Sequence, residues 1–464
     1  MGQAHPTPRP ARKLQSLSGR AAYNSSAGGP AGPLEKRMPF IRTRRQVLQA
    51  LGVTGLTARI GQALAGPPTR PLTRPHSLAR SLSPDALQDV LVGCGYLGCG
   101  GGGTLAEGHA QLVDDLRAGL RFELLPVAAL GDDEWVASPY GIGSNAPPTE
   151  HDKATYADLL PMKRDAVEAS FRLLSQFMRR PFVATIAGEL GPWSTAAALS
   201  TAARLQIPTL DADRVGRATP EATQDSIAHA GLATTPLAAV TGFGDSLILE
   251  QVAKGSRVED ILRAVSVTSL GELGVTDAAL SGREAKRQGT LIIGSISQAE
   301  RLGQAHRQAT VTGTDPVQAV LVAGAGYFLF SGEVVEFPWK DEAGFLIGDV
   351  LIEGRGAFRG SRYRIHYMNE NLIAWRDDQV SVTPPDLISV ADARSGLAIA
   401  NPDFTVGQLV SVIGFRAPDI WRTPAGLERF GPQHFKLDTP YLPIERLHDL
   451  TAEAHPIEYN RLFM

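Results

Sequence analysis

Ile207-Pro208-Thr209-Leu210-Asp211-Ala212-Asp213-Arg214-Val215-Gly216-Arg217-Ala218-Thr219-Pro220-Glu221 is the stretch on which the reading of this chain turns. A short apolar run reads as a buried strand and stops at two carboxylates. Gly, two Arg, Pro and a third carboxylate follow at once. Loops beyond the carboxyl ends of strands are where open α/β sheets hold ligands. If the strand continues through Asp213, alternation turns Asp211 and Asp213 to the same side. Two carboxylates held together are costly unless a cation or a proton is shared. The residue types allow a metal or acid/base site. They equally allow a strand-end turn with Asp caps and an Arg–Asp ion pair.

Upstream, residues 182–187 form another apolar run that ends at Gly188-Glu189, and a helix is expected from about Trp193 to Leu205. Strand, helix and strand in that order imply parallel pairing with a right-handed crossover. Glu189 then stands at the same rim as Asp211 and Asp213. Ser83-Pro84-Asp85 is a helix start, with Ser as N-cap and Pro in the first turn. That helix runs into Gly98-Cys99-Gly100-Gly101-Gly102-Gly103, and Thr104-Leu105-Ala106-Glu107 reads as a capping box opening a second helix, to about Arg117. Glycines at a helix start let the backbone approach an anionic group. Cys99 there is either a thiol with a lowered pKa or a small buried residue.

Further strands are expected at 121–127 and 135–138. Further helices are expected within 156–178, starting after Pro161, and at 258–269 and 297–307. From about Val317 short β runs take over, at 319–323, 327–330, 345–353, 362–367, 372–376, 387–390 and 408–415. The fold class is α/β: an N-terminal α/β domain with a partly parallel sheet over 83–315, then a mostly β C-terminal domain over 316–445. A tail follows at 446–464.

The chain has 464 residues, 43% hydrophobic and 20% charged, which suits a globular protein of two or three domains. A formal net charge of -3 leaves no nucleic-acid footprint. With only Cys94 and Cys99, no disulfide framework can form. No apolar run is long enough to span a membrane. Residues 1–75 read as a leader: a Pro/Gly/Ser-rich stretch, then Arg44-Arg45, an apolar stretch and Ala63-Leu64-Ala65. This resembles a twin-arginine export signal cleaved near residue 65, with Met38 as a natural start. The expected location is periplasmic or secreted, with a cytoplasmic chain as the alternative.

The stretch 211–221 also resembles the signature of the S-methyl thiohydantoin desulfurase family, which reads close to Asp-Ala-Asp-Gly-Met-Gly-Arg-Ala-Phe-Pro-Glu. Asp211, Asp213, Gly216, Arg217, Pro220 and Glu221 match, while Arg214, Val215 and Thr219 depart. Leu97 to Gly103 is similar to the family's Leu-Gly-Thr-Gly-Gly-Gly-Gly tract, with Cys99 for the hydroxyl residue. Asn369-Glu370-Asn371-Leu372, Pro385-Asp386-Leu387-Ile388 and Val412-Ile413-Gly414 resemble its C-terminal half. The resemblance implies a substrate with a thiohydantoin-like five-membered ring. It also draws Lys153, in Glu150-His151-Asp152-Lys153, toward the site. Gly191-Pro192-Trp193-Ser194 departs from the family pattern.

The expected site has Asp211 and Asp213 as ligands of a divalent metal, zinc or iron. Glu221 and Glu189 move protons, Cys99 and Arg217 take part in catalysis, and Gly100, Gly101, Gly102, Gly103 and Lys153 hold substrate or anion. A metal lowers the pKa of bound water and delivers hydroxide. The expected activity is hydrolytic removal of sulfide or thiol. The alternatives are an exported binding protein for a small cyclic amide and a ring-opening amidohydrolase. The expected partner is a small molecule, with no nucleic acid and no membrane span, and homo-oligomerisation is left open. His151 reads as part of a solvated charged turn, with a general base or ligand as the alternative, and His366 and His434 as structural.

Overall fold

A computed structural model describes residues 77–143, 149–163, 165–271, 273–342 and 344–452. The expected leader, including the stretch that resembles a twin-arginine signal, and residues 453–464 lie outside them. Among the described residues no helix is long and apolar enough to cross a membrane.

The first sheet contains β1 (Arg80–Ser81), β2 (Glu123–Leu125), β3 (Trp135–Ile142), β4 (Phe182–Ala187), β5 (Thr209–Asp213), β6 (Leu237–Thr241), β7 (Ser246–Leu249), β8 (Leu273–Ser281) and β9 (Ile292–Ile293). Its order is β1-β2-β5-β4-β3-β8-β6-β7, with β9 on β5. The pairs β2–β5, β4–β5 and β3–β4 are parallel. The pairs β3–β8 and β6–β8 are antiparallel, so the sheet is mixed. The parallel strand β4 is buried at every position, as a strand covered on both faces must be.

The helices are α1 (Pro84–Leu97), α2 (Leu105–Arg117), α3 (Glu150–Thr155), α4 (Ala166–Met178), α5 (Pro192–Leu205), α6 (Arg257–Val267), α7 (Ser295–Thr312), α8 (Pro316–Gly324) and α9 (Pro424–Phe430), besides short turns and a closing helix, Ile444–Ala452. Their starts follow local chemistry. Ser83 caps α1 through Ala86 N at 3.1 Å. Thr104 and Glu107 form the full capping box on α2. Asp165 caps α4, so Pro161 lies outside it. The apolar run at 319–323 is helix, not the strand expected. Asp315 accepts from Val317 N and Gln318 N, and Pro316 presets the first turn of α8.

The second sheet is antiparallel. It contains β10 (Tyr327–Glu336), β11 (Trp339–Glu342), β12 (Phe345–Gly354), β13 (Arg362–Met368), β14 (Glu370–Arg376), β15 (Gln379–Val382), β16 (Leu387–Asp392) and β17 (Leu409–Phe415). Its order is β15-β14-β13-β12-β10-β17-β16, with β11 on β12. Strict alternation along β12 buries one face and leaves the other half-exposed. One apolar cluster runs from Leu87 and Leu91 of α1, through Leu302 of α7, to Phe330 and Ile388 of this sheet. The two sheets therefore share a core, in which each fully buried Leu or Phe is worth roughly 1.5–3 kcal/mol. The fold class read from the sequence holds: helices with a mixed sheet, then mostly strands.

Candidate active site

A cleft of about 1370 Å³ opens between elements of both sheets. Gly102 and Gly103, Tyr140, Glu189, Trp193, Arg214, Glu370 and Asn401 all line it. The glycine tract forms its floor. Gly102 and Gly103 carry φ of 69° and 81°, the left-handed region that favours glycine. A Cβ on Gly101 would overlap the Glu370 carboxyl, and one on Gly100 would press on the Asn401 amide. Bare backbone is needed here so that two side chains from the second half can lie against it.

Glu189 follows β4 and accepts from Ser194 Oγ at 2.8 Å and Thr219 N at 2.9 Å. Burial raises its pKa, and these two donors hold the rise down. Glu370 opens β14 and is 3% exposed. Burial, then the charge of Glu189, push its carboxyl well above the ordinary carboxylate range. Its Oε2 has no hydrogen-bond partner among the described residues. The cleft therefore holds two buried carboxyls, one supplied with donors and one with an unpartnered oxygen, and burial raises both, Glu370 the further. Buried, coupled carboxyls lining a cleft are candidates for acid/base work.

On the same wall Arg214 is buried between Asp225 and Asp277, donating to Asp277 Oδ1 at 2.5 Å and to Asp225. Tyr140 Oη donates to Asp277 Oδ2 at 3.1 Å. Burial raises Asp277 to about 6. Arg263 ties three surrounding loops, donating to the carbonyls of Gly143 at 2.8 Å, Pro220 at 2.8 Å and Gly344 at 2.7 Å.

Of the residues expected from sequence, Gly102, Gly103 and Glu189 line this cleft. Asp211 accepts from Ser297 N at 2.9 Å and Ser297 Oγ at 2.6 Å, at the start of α7. A carboxylate there complements the helix dipole. Asp213 Oδ2 accepts from Val215 N at 2.8 Å and Gly216 N at 2.7 Å, and burial raises it to about 7. Arg217 is fully buried and donates to the carbonyls of Ala218, Asn371, Pro385 and Asp386 at 2.9–3.3 Å. It stitches the signature loop to the second half. Glu221 meets His434 Nε2 at 3.0 Å, which raises the histidine's pKa. Cys99 is buried, with Sγ 3.4 Å from Leu97 O, and burial pushes its thiol up, opposite to the lowering expected beside a helix start. Gly100 and Gly101 lie under Asn401 and Glu370. Lys153 sits on α3 in an exposed pair with Glu150 at 2.7 Å.

A metal was expected at Asp211 and Asp213. Asp211 and Asp213 Oδ2 are taken up by N–H and hydroxyl donors, while Asp213 Oδ1, buried, has no partner among the described residues. Among the described residues no three His, Cys, Asp or Glu side chains gather as a cation would need. Glu370 and Asn401 were not picked out as site residues. Glu370 stood in a motif quoted above, but only the tertiary fold reveals its burial and its unpartnered oxygen.

The geometry defines an α/β protein with an acid-pair cleft built from both halves of the chain. Two family models cover most of it: "S-Me-THD-like, N-terminal domain" over residues 85–251 and "S-Me-THD-like, C-terminal domain" over residues 253–444. The chain belongs to this family, that of S-methyl thiohydantoin desulfurase. A crystallised protein from Chromobacterium violaceum shares the fold, with a TM-score of 0.60 and 22% identity, over 79% of this chain and 100% of that one. No curated protein matches the chain.

Proposed function

We propose that this chain is a hydrolase that removes sulfur from a thiohydantoin-like five-membered ring. The observation that carries the reading is the pairing of Glu189 with Glu370 over the glycine floor; family membership supplies the substrate class. Glu189, supplied with donors, takes a proton from water as the water oxygen attacks the ring carbon bearing sulfur. Backbone N–H groups of Gly102 and Gly103 stabilise the anion that develops. Glu370, protonated, gives its proton to the departing sulfur. As the C–S bond breaks, the adduct hydroxyl gives its proton to the Glu370 carboxylate and the proton held on Glu189 passes to the ring nitrogen or the departing sulfide; sulfide or a thiol leaves, and a ring carbonyl remains. Water supplies the oxygen and both protons, so no oxidant or reductant is consumed.

The test follows sulfide or thiol release and intact-ring product over a thiohydantoin panel. Glu370→Gln should cut turnover by roughly 10²–10⁴-fold, the usual worth of one positioned acid. Ring-opened product without sulfur release would instead identify an amidohydrolase. Saturable binding with no product would identify a binding protein. Zinc and iron analysis on the same preparation tests the metal expectation.

A further inference from the structure

Two unpartnered polar atoms share the glycine floor. Asn401 is 3% exposed and lines the cleft. Its Nδ2 donates to the Asn369 carbonyl at 2.8 Å and to Asn371 Oδ1 at 3.1 Å. A carbonyl can only accept, so the orientation of the amide is fixed. Its Oδ1 has no partner among the described residues, and neither does Glu370 Oε2. Asn401 N is itself held to Gly100 O at 2.8 Å. Asn401 rests on Gly100 and Glu370 on Gly101. Gly100 and Gly101 are consecutive, and both side chains that rest on them line the same cleft. Buried polar atoms left without a partner are rare and costly.

We infer that Asn401 Oδ1 and the Glu370 carboxylic acid together read the N–H and adjacent C=S or C=O edge of a cyclic thioamide or amide. The inference rests on the reading above and narrows its substrate. An acceptor beside a donor fits an edge that presents N–H and C=S on the same side. A five-membered ring enforces that cis arrangement. An open-chain secondary amide is trans, and turning it cis costs roughly 2.5–4 kcal/mol. The pair therefore selects rings over open-chain amides. It also demands a free ring N–H.

Calorimetric titration with thiohydantoin, its N,N′-dimethyl derivative and N-methylacetamide tests this on the full chain. The wild type should bind the unmethylated ring roughly tenfold to hundredfold more tightly than the dimethyl ring, the penalty for burying an unmet acceptor. Binding of N-methylacetamide should be undetectable at the same concentrations. Asn401→Ala should bring the two rings to within about threefold of each other, because the discriminating acceptor is gone. Glu370→Gln keeps a donor at that corner. It should preserve the preference while turnover falls. Equal binding of both rings by the wild type overturns the inference. So does an intact preference in an Asn401→Ala protein that melts cooperatively. Preference for the unmethylated ring without sulfur release supports the inference and removes the desulfurase reading. No binding of either ring removes both.

Discussion

The Glu370 carboxyl lies directly against the bare Cα of Gly101. The glycine tract is therefore a platform for a side chain from the other half of the molecule. The four glycines expected to hold an anion divide in two. Gly102 and Gly103 line the cleft, while Gly100 and Gly101 carry Asn401 and Glu370.

Gly101→Ala should displace Glu370 without unfolding the protein. The added methyl overlaps a carboxyl at the end of a flexible side chain, so the backbone can stay in place. Turnover should fall at least tenfold, and the melting temperature should shift by only a few degrees, as for about 1 kcal/mol. Measuring both on one preparation checks it. Unchanged turnover would separate Glu370 from the chemistry.

Asp213→Asn should flatten the dependence of stability on pH. Burial lifts Asp213 from 3.8 to about 7. Between those values the unfolded chain releases the proton and the folded chain keeps it. Stability from this group is therefore complete below about 4 and declines as pH rises toward 7. The variant, with nothing to ionise, should gain relative to wild type over that window. A bound cation would reverse the sign, because the variant would lose a ligand. Melting curves from pH 4 to 8, with and without chelator, distinguish the two.

Arg217→Met should cost stability, not affinity. It removes donors from four carbonyls, three of them in the second half. A buried unpaired acceptor costs about 1–3 kcal/mol, so a loss of about 3 kcal/mol or more is expected in denaturant titration. If Arg217 instead held a substrate carboxylate, KM would rise while stability stayed put.

Replacing Arg44 and Arg45 together by Lys should hold the precursor in the cytoplasm, if the leader is a twin-arginine signal. Fractionation of the native cell with a tagged chain checks this. An intact, cytoplasmic wild-type chain would end the export reading.

What was legible in the sequence was local. Ser83, Thr104 with Glu107, and Phe182 to Ala187 each announce an element through short-range chemistry, and the described structure places those elements where expected. The reading failed at 319–323, where an apolar run outweighed the Asp315-Pro316 start beside it. The site was legible only in part, because its logic is tertiary. Asp211 gave no sign that Ser297, 86 residues later, would claim its oxygens. Nothing in the spacing of Glu189, Glu370 and Asn401 told that they would meet over one floor.

The strand order has a consequence for anyone dividing this chain. The two family models part at residues 251 and 253, yet β8 lies beyond that point and inserts between β3 and β6. A fragment ending there would keep β3 and β6 but lack the strand that pairs with both. Its two raw edges would offer unpaired N–H and C=O groups to any neighbouring chain, the usual route to edge-to-edge aggregation. The family boundary is thus a seam in sequence and not a place where the molecule can be cut.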